Sequence, residues 1–131
     1  DLMHPGHVSS LQLARALGDV LVVGVNSDRS VRAYKGPNRP ILTEDERATM
    51  VAALECVDYV VVFDDDTPAA VLAEVQPDIH CKGAEYAPPH GRAVPEANLV
   101  LSYGGRIEYL PLVPGLSTTA GLQRIRDKGG T

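Results

Sequence analysis

The sequence contains no apolar run approaching the roughly 18 consecutive residues that a membrane-spanning helix requires, and its start carries neither the basic nor the apolar stretch of a secretory signal. A cytoplasmic protein with no membrane partner is the expectation. Basic residues are scarce: 12 Lys and Arg stand against 17 Asp and Glu, for a formal net charge of -5. That balance excludes nucleic-acid binding through a bulk basic surface, so any anionic ligand must be held by a few local cations. There are only two cysteines, Cys56 and Cys81, with no C-x-x-C pair. Both sit in apolar or helical patterns that read as interior positions in a reducing compartment. No internal repeat is evident, and neither Cys nor carboxylate lies at a ligand-like spacing near the first histidines, so no protein-held metal is expected.

What is there suffices for one domain spanning residues 1–131, with 44% hydrophobic residues to build a continuous core. Short β-branched runs at Val20–Val25, Tyr59–Phe63 and Ile107–Leu110 read as buried strands of a parallel sheet. Helical patterns lie between them. Val8–Leu17 is amphipathic and stops at Gly18. Thr43 with Glu46 forms a capping box that opens a helix over 44–55. Thr67-Pro68 opens another, closed by Pro77, while Pro95–Tyr103 ends at Gly104-Gly105 and Ser117 caps a last helix through Ile125. Strands alternating with helices imply an α/β fold: a Rossmann-like open parallel sheet with helices on both faces. Its ligands belong beyond the carboxyl ends of the strands, in the loops Asn26–Asp28, Lys82–Pro95 and Val113–Ser117. The chain opens at the mouth of a helix with no strand before it, so either a first strand is missing from this chain or the sheet is completed in another way.

His4-Pro5-Gly6-His7 precedes the first helical pattern. Backbone amides and two imidazoles can converge there on one anion at the positive end of the helix dipole, and Gly6 permits close approach. The alternative is a capped helix start with surface histidines.

Asp1-x-x-His4-x-Gly6-His7 resembles the latter part of the G-x-F-D-x-x-H-x-G-H signature of the cytidylyltransferase-like nucleotidyltransferases. Gly18-Asp19, Val25-Asn26-Ser27-Asp28, Lys35-Gly36-x-x-Arg39-Pro40, Glu46-Arg47, Val57-Asp58-Tyr59, Phe63-x-x-Asp66-Thr67-Pro68, Pro77-Asp78, Lys82-Gly83-x-x-Tyr86, Gly104-Gly105 and Ser117-Thr118-Thr119 are similar, in order, to heptose-1-phosphate adenylyltransferases. This resemblance covers essentially the whole chain. It implies an enzyme in which a sugar-phosphate oxygen attacks the α-phosphorus of an NTP, pyrophosphate leaves and Mg²⁺ assists. The substrates implied are ATP and D-glycero-D-manno-heptose 1-phosphate, the product ADP-heptose for lipopolysaccharide core or another surface glycan, and the assembly a homodimer.

By the same resemblance His4, His7 and Lys35 are the catalytic residues, with Lys35 acting from a mobile loop. Asp1, Gly6, Lys82, Gly83, Glu85, Ser117, Thr118 and Thr119 are the nucleotide contacts, and Asp28 and Arg39 line the sugar-phosphate side. Many relatives carry an arginine shortly upstream of Ser117, where Leu112-Val113-Pro114-Gly115 stands here; Arg124 is the candidate replacement. Each assignment has a plainer counterpart: a solvated turn lysine for Lys35, a tight turn for Gly83, capping for Ser117, an exposed aspartate for Asp28 and a helix-end cation for Arg124. The run Asp64-Asp65-Asp66 reads as acids favouring a helix start. His80 and His90 match nothing catalytic. Two rival functions are a cytidylyltransferase acting on glycerol 3-phosphate or a related alcohol phosphate, and a nucleotide-binding regulatory module without turnover.

Overall fold

The computed structural model describes residues 3–111. Asp1, the expected helix after Ser117, and Ser117, Thr118, Thr119 and Arg124 with it lie outside the described residues.

The first element is helix α1, Pro5–Ala16, with His4 as its N-cap and Pro5 in the first turn. Proline is favoured there because its fixed φ suits a helix start and its missing N–H would have had no helical acceptor. The helix therefore begins three residues before the expected Val8. At the other end, Arg15 donates to the Gly18 carbonyl at 2.7 Å and pairs with Asp58 at 3.4 Å, and the Asp58 carboxylate accepts from Leu21 N at 2.8 Å. One carboxylate thus joins the end of α1 to the strands that follow.

Those strands are β1, Val22–Asn26, and β2, Tyr59–Phe63, which run parallel with Val22 opposite Tyr59 and Asn26 opposite Phe63. The crossover between them carries α2, Asp28–Lys35, and α3, Glu44–Ala52. The second half contributes α4, Ala69–Val75, β3, Ile79–Gly83, a 3₁₀ turn at Ala84–Tyr86, α5, Ala97–Ser102, and β4, Arg106–Leu110. β3 and β4 are parallel, with Ile79 opposite Arg106 and Gly83 opposite Leu110. Parallel strands cannot be joined by a tight turn, so each pair needs its helical crossover, and the result is the expected α/β class.

Several details differ from the sequence-based expectation. The described strands form two parallel pairs, β1 with β2 and β3 with β4, and no ladder joins β1 to β3. Helix α2 covers a stretch to which the sequence pattern assigned no element, and it ends at Lys35, which the resemblance placed in a loop. It is capped by Ser27, whose hydroxyl accepts from Ser30 N, and it ends at Gly36 with φ 96°, a left-handed conformation suited to glycine. Its segment holds few apolar residues, but Val31 is buried and anchors it. The helix after β2 starts at Ala69 with Pro68 at the cap, so Thr67 stands one place further out and meets Ala69 N only at 3.4 Å. The capping box at Thr43 and Glu46 is present as expected, with both reciprocal bonds made. Both cysteines are free and partly exposed rather than interior, and partial burial pushes the Cys81 thiol pKa up.

Packing runs through the helices. α3 covers β1 and β2, α5 lies on β4 and against α4, and α1 touches β4 while lining a cavity with β1. Val100 of α5 is fully enclosed, and Ala14, Val25, Val31 and Leu72 complete the buried apolar set among the described residues.

Candidate active site

The two histidines at the start of α1 make a capping box out of imidazoles. His4 Nδ1 accepts from Gly6 N at 3.1 Å, and His7 Nδ1 accepts from His4 N at 3.2 Å. Their rings stack with centroids 3.8 Å apart. The expectation that these amides point at a ligand is thereby corrected: the histidines themselves take the amides of His4 and Gly6. A different capacity follows. An Nδ1 that accepts carries no proton, so a neutral ring holds its proton on Nε2 and can donate it outward. His7 is kept neutral, its pKa lowered from 6.5 to about 4, first by desolvation and then by the adjacent His4 and by Lys35. Gly6 is buried inside the turn.

Beside this turn opens a cavity of about 340 Å³. Its apolar wall includes Leu11 of α1, Val23 and Val25 of β1, and Met50 of α3, and its polar groups are His7, Ser10, Asn26, Lys35 and Arg47. Lys35 comes from the last turn of α2 rather than from a loop. Its pKa is lowered, first by desolvation and then by Arg39 and Arg47. Lys35 therefore lies in the field of two further cations, one of which, Arg47, is paired with Asp28. Among the described residues no carboxylate lines the cavity, and no group of three His, Cys, Asp or Glu side chains is placed to bind a metal ion.

Arg47 was visible in the sequence only as part of the resemblance, and the structure gives it a definite task. Its side chain is 10% exposed. Nε donates to Leu42 O at 3.0 Å, Nη1 to Asn26 O at 2.7 Å and Nη2 to Asp28 Oδ1 at 2.9 Å. One planar guanidinium thus ties the end of β1, the start of α2 and the approach to α3. Asp28 also donates its N–H to Glu44 Oε1 at 3.1 Å. Its carboxylate is committed to Arg47, and neither Asp28 nor Arg39 lines the cavity.

Lys82, Gly83 and Glu85 stand apart from this cavity, at the carboxyl end of β3 and in the 3₁₀ turn after it. Lys82 Nζ lies 4.2 Å from the centre of the Tyr86 ring and 3.5 Å from Glu96 Oε1. His80, set aside at the sequence level, meets the same Glu96 oxygen through Nε2 at 3.0 Å. A Cβ on Gly83 would collide with the Glu85 carboxylate, the end of an exposed and movable side chain. Strand alternation places His80 and Lys82 on one face, but nothing local signals Glu96, fourteen residues beyond Lys82.

The Asp64-Asp65-Asp66 run is structural in a way other than expected. Asp64 accepts from Ser27 Oγ at 2.5 Å and from Arg29 Nη2 at 2.6 Å, holding the start of α2 against the end of β2. Its pKa is lowered by those same hydrogen bonds, Arg29 first and Ser27 next.

Residues 1–110 match the family model described as Cytidylyltransferase-like. The bifunctional protein HldE of Syntrophotalea carbinolica is 54% identical over 98% of this chain, that of Trichlorobacter lovleyi 48% identical over 98%, and that of Streptomyces coelicolor 51% identical over 95%. The chain spans about a quarter of the length of these relatives, 26% in each case. Among solved structures, the lipopolysaccharide core biosynthesis protein from Thermoplasma volcanium aligns with a TM-score of 0.65 at 28% identity, over 86% of this chain and 88% of that one.

Proposed function

Because the chain belongs to the cytidylyltransferase-like family and is a nucleotidyltransferase, we propose that it transfers AMP from ATP to D-glycero-D-manno-heptose 1-phosphate, giving ADP-heptose and pyrophosphate. The observation that carries this reading is the convergence of His7, Lys35 and Arg47 on one cavity beside the α1 start. Its volume, about 340 Å³, lies within the range of small-molecule sites. Support for the sugar branch comes from the Lys35-Gly36 and Lys82-Gly83 blocks and from the extent of similarity to the HldE relatives. The Thermoplasma protein's description supplies the link to lipopolysaccharide core.

In this reaction a phosphate oxygen of the sugar substrate forms a bond to the α-phosphorus, the bond from that phosphorus to the bridging oxygen breaks, and pyrophosphate departs with its electron pair. No side chain needs to become covalently attached, so the protein's work is positioning and charge stabilisation. In this reading His4 and the neutral His7 offer Nε2 toward oxygens around the α-phosphorus, whose charge shifts toward the leaving group. Lys35, which lines the cavity from the last turn of α2, contributes positive charge beside the phosphates. The wall at Leu11, Val23 and Met50 gives the cavity an apolar face against which the substrates can pack. Lys82 and Gly83 serve the nucleotide from the end of β3, with Glu85 beside them. Ser117, Thr118, Thr119 and Arg124 hold the outer phosphates, and Asp1 joins the nucleotide site. Mg²⁺ enters as the ATP complex. A cytoplasmic homodimer completes the proposal.

The test is pyrophosphate release by the full-length protein with ATP and with CTP, each against heptose 1-phosphate and glycerol 3-phosphate. Turnover with ATP and heptose 1-phosphate that disappears in His7→Ala supports the proposal. CTP-selective turnover with glycerol 3-phosphate replaces it with the cytidylyltransferase reading that the family's description also favours. Nucleotide binding without turnover on any pair leaves a regulatory module.

A further inference from the structure

Among the described residues Glu96 is the one buried acid, at 3% exposure. It stands at the cap position of α5, yet its side chain makes no capping hydrogen bond. Its carboxylate turns instead to β3. Oε1 accepts from His80 Nε2 at 3.0 Å and meets Lys82 Nζ at 3.5 Å. His80 and Lys82, two residues apart, occupy one face of the strand, so one oxygen holds two cation-forming side chains in register. Burial is the largest influence on the carboxyl and works against its charge. The His80 hydrogen bond, the residue's own backbone amide and the Lys82 charge outweigh it, and the pKa falls. Keeping an ion desolvated in this way is expensive unless its partners are well placed. Neither helix capping nor the cavity at His7 accounts for it.

We propose that Glu96 is a positioning residue that fixes the Lys82 ammonium at the carboxyl end of β3 for contact with the nucleotide. The proposal rests on the reading that this strand end takes ATP. Lysine carries a long stem with many rotamers, and freezing it before the ligand arrives removes part of the entropic penalty of binding. Here the stem is held from two directions: Glu96 takes one side of the ammonium and the Tyr86 ring, 4.2 Å away, takes another. The side chain remains 23% exposed, so a ligand can still reach it. His80 keeps the shared oxygen aligned.

The experiment is a double-mutant cycle on ATP affinity in the full-length protein, measured calorimetrically with Glu96→Gln, Lys82→Met and the pair. Each single change is expected to weaken ATP binding roughly tenfold, and the pair to be no weaker than Lys82→Met alone, because Glu96 acts through Lys82. In turnover assays Glu96→Gln raises the KM for ATP and leaves the KM for the sugar phosphate unchanged. Additive losses make Glu96 a merely structural group and overturn the proposal. Weakened binding in Lys82→Met with none in Glu96→Gln overturns it too, while leaving the nucleotide reading of this strand end intact. No effect of Lys82→Met on ATP overturns both. Should Glu96→Gln fail to fold, His80→Phe takes its place in the cycle: coupling to Lys82 of more than about twofold supports the proposal, and independence overturns it.

Discussion

Replacing Arg47 should expose how the cavity is held open. In Arg47→Met the side chain keeps its approximate length but loses three hydrogen bonds, to Leu42 O, Asn26 O and Asp28 Oδ1. Bonds from a charged donor contribute about 1.5–3 kcal/mol each when a partner is left unsatisfied. The full sum overstates the loss, since Asp28 is 24% exposed and water can rehydrate it. A net destabilisation of about 3 kcal/mol is expected, in the range found when one member of a largely buried ion pair is removed. Arg47→Lys retains the charge but can satisfy only one acceptor well, and about 2 kcal/mol should be lost. Urea unfolding followed by circular dichroism reads both, as a lower midpoint at unchanged slope. Because α2 begins at the turn that Arg47 holds and ends at Lys35, the KM for the acceptor should rise in parallel. A loss below about 1 kcal/mol for Arg47→Met, within reach of an ordinary substitution, would refute the claim that this guanidinium organises the site.

Other outcomes follow from the same geometry. His7→Ala should lower kcat by about 10²–10³, the usual consequence of removing a donor to developing charge, while ATP binding measured calorimetrically changes little. Between pH 6.5 and about 4 the unfolded chain binds a proton at His7 that the folded chain does not, so stability should fall as pH drops through that window and level off below it. Urea titrations of wild type and His7→Gln at pH 7, 5.5 and 4 measure the difference, and an NMR titration placing His7 near 6.5 would contradict it. Gly91→Ala should destabilise by about 2 kcal/mol in thermal melts, because a Cβ there would meet the backbone of Tyr86 and Ala87, whereas Gly83→Ala meets only the movable Glu85 carboxylate and should leave the melting temperature nearly unchanged. Chelation of Mg²⁺ should stop turnover without lowering the melting temperature of the free protein; a drop in that temperature would reveal a protein-held metal.

Local patterns reached far into this fold. The β-branched run Tyr59–Phe63 is a strand over its full expected length, and the Thr43 and Glu46 pair caps α3, because strand alternation and helix capping involve neighbours a few residues apart. The same short range explains a missed reading. His4 and His7 have the three-residue spacing of a capping box, and only the habit of associating that spacing with Ser, Thr and Glu hides it. α2 escaped because helix propensity had to be judged in a segment with little apolar periodicity, although Ser27 and Gly36 mark its two ends.

The sequence alone therefore determined the α/β class and the parallel strands, both of which depend on residues close together in the chain. Tertiary structure decided which distant groups share an oxygen or a cavity. Arg47 meets a carbonyl 21 residues away, and His80 meets a carboxylate 16 residues away. Those pairings depend on how α3 lies over β1 and how the start of α5 returns to β3, and no local propensity encodes the packing of one element on another.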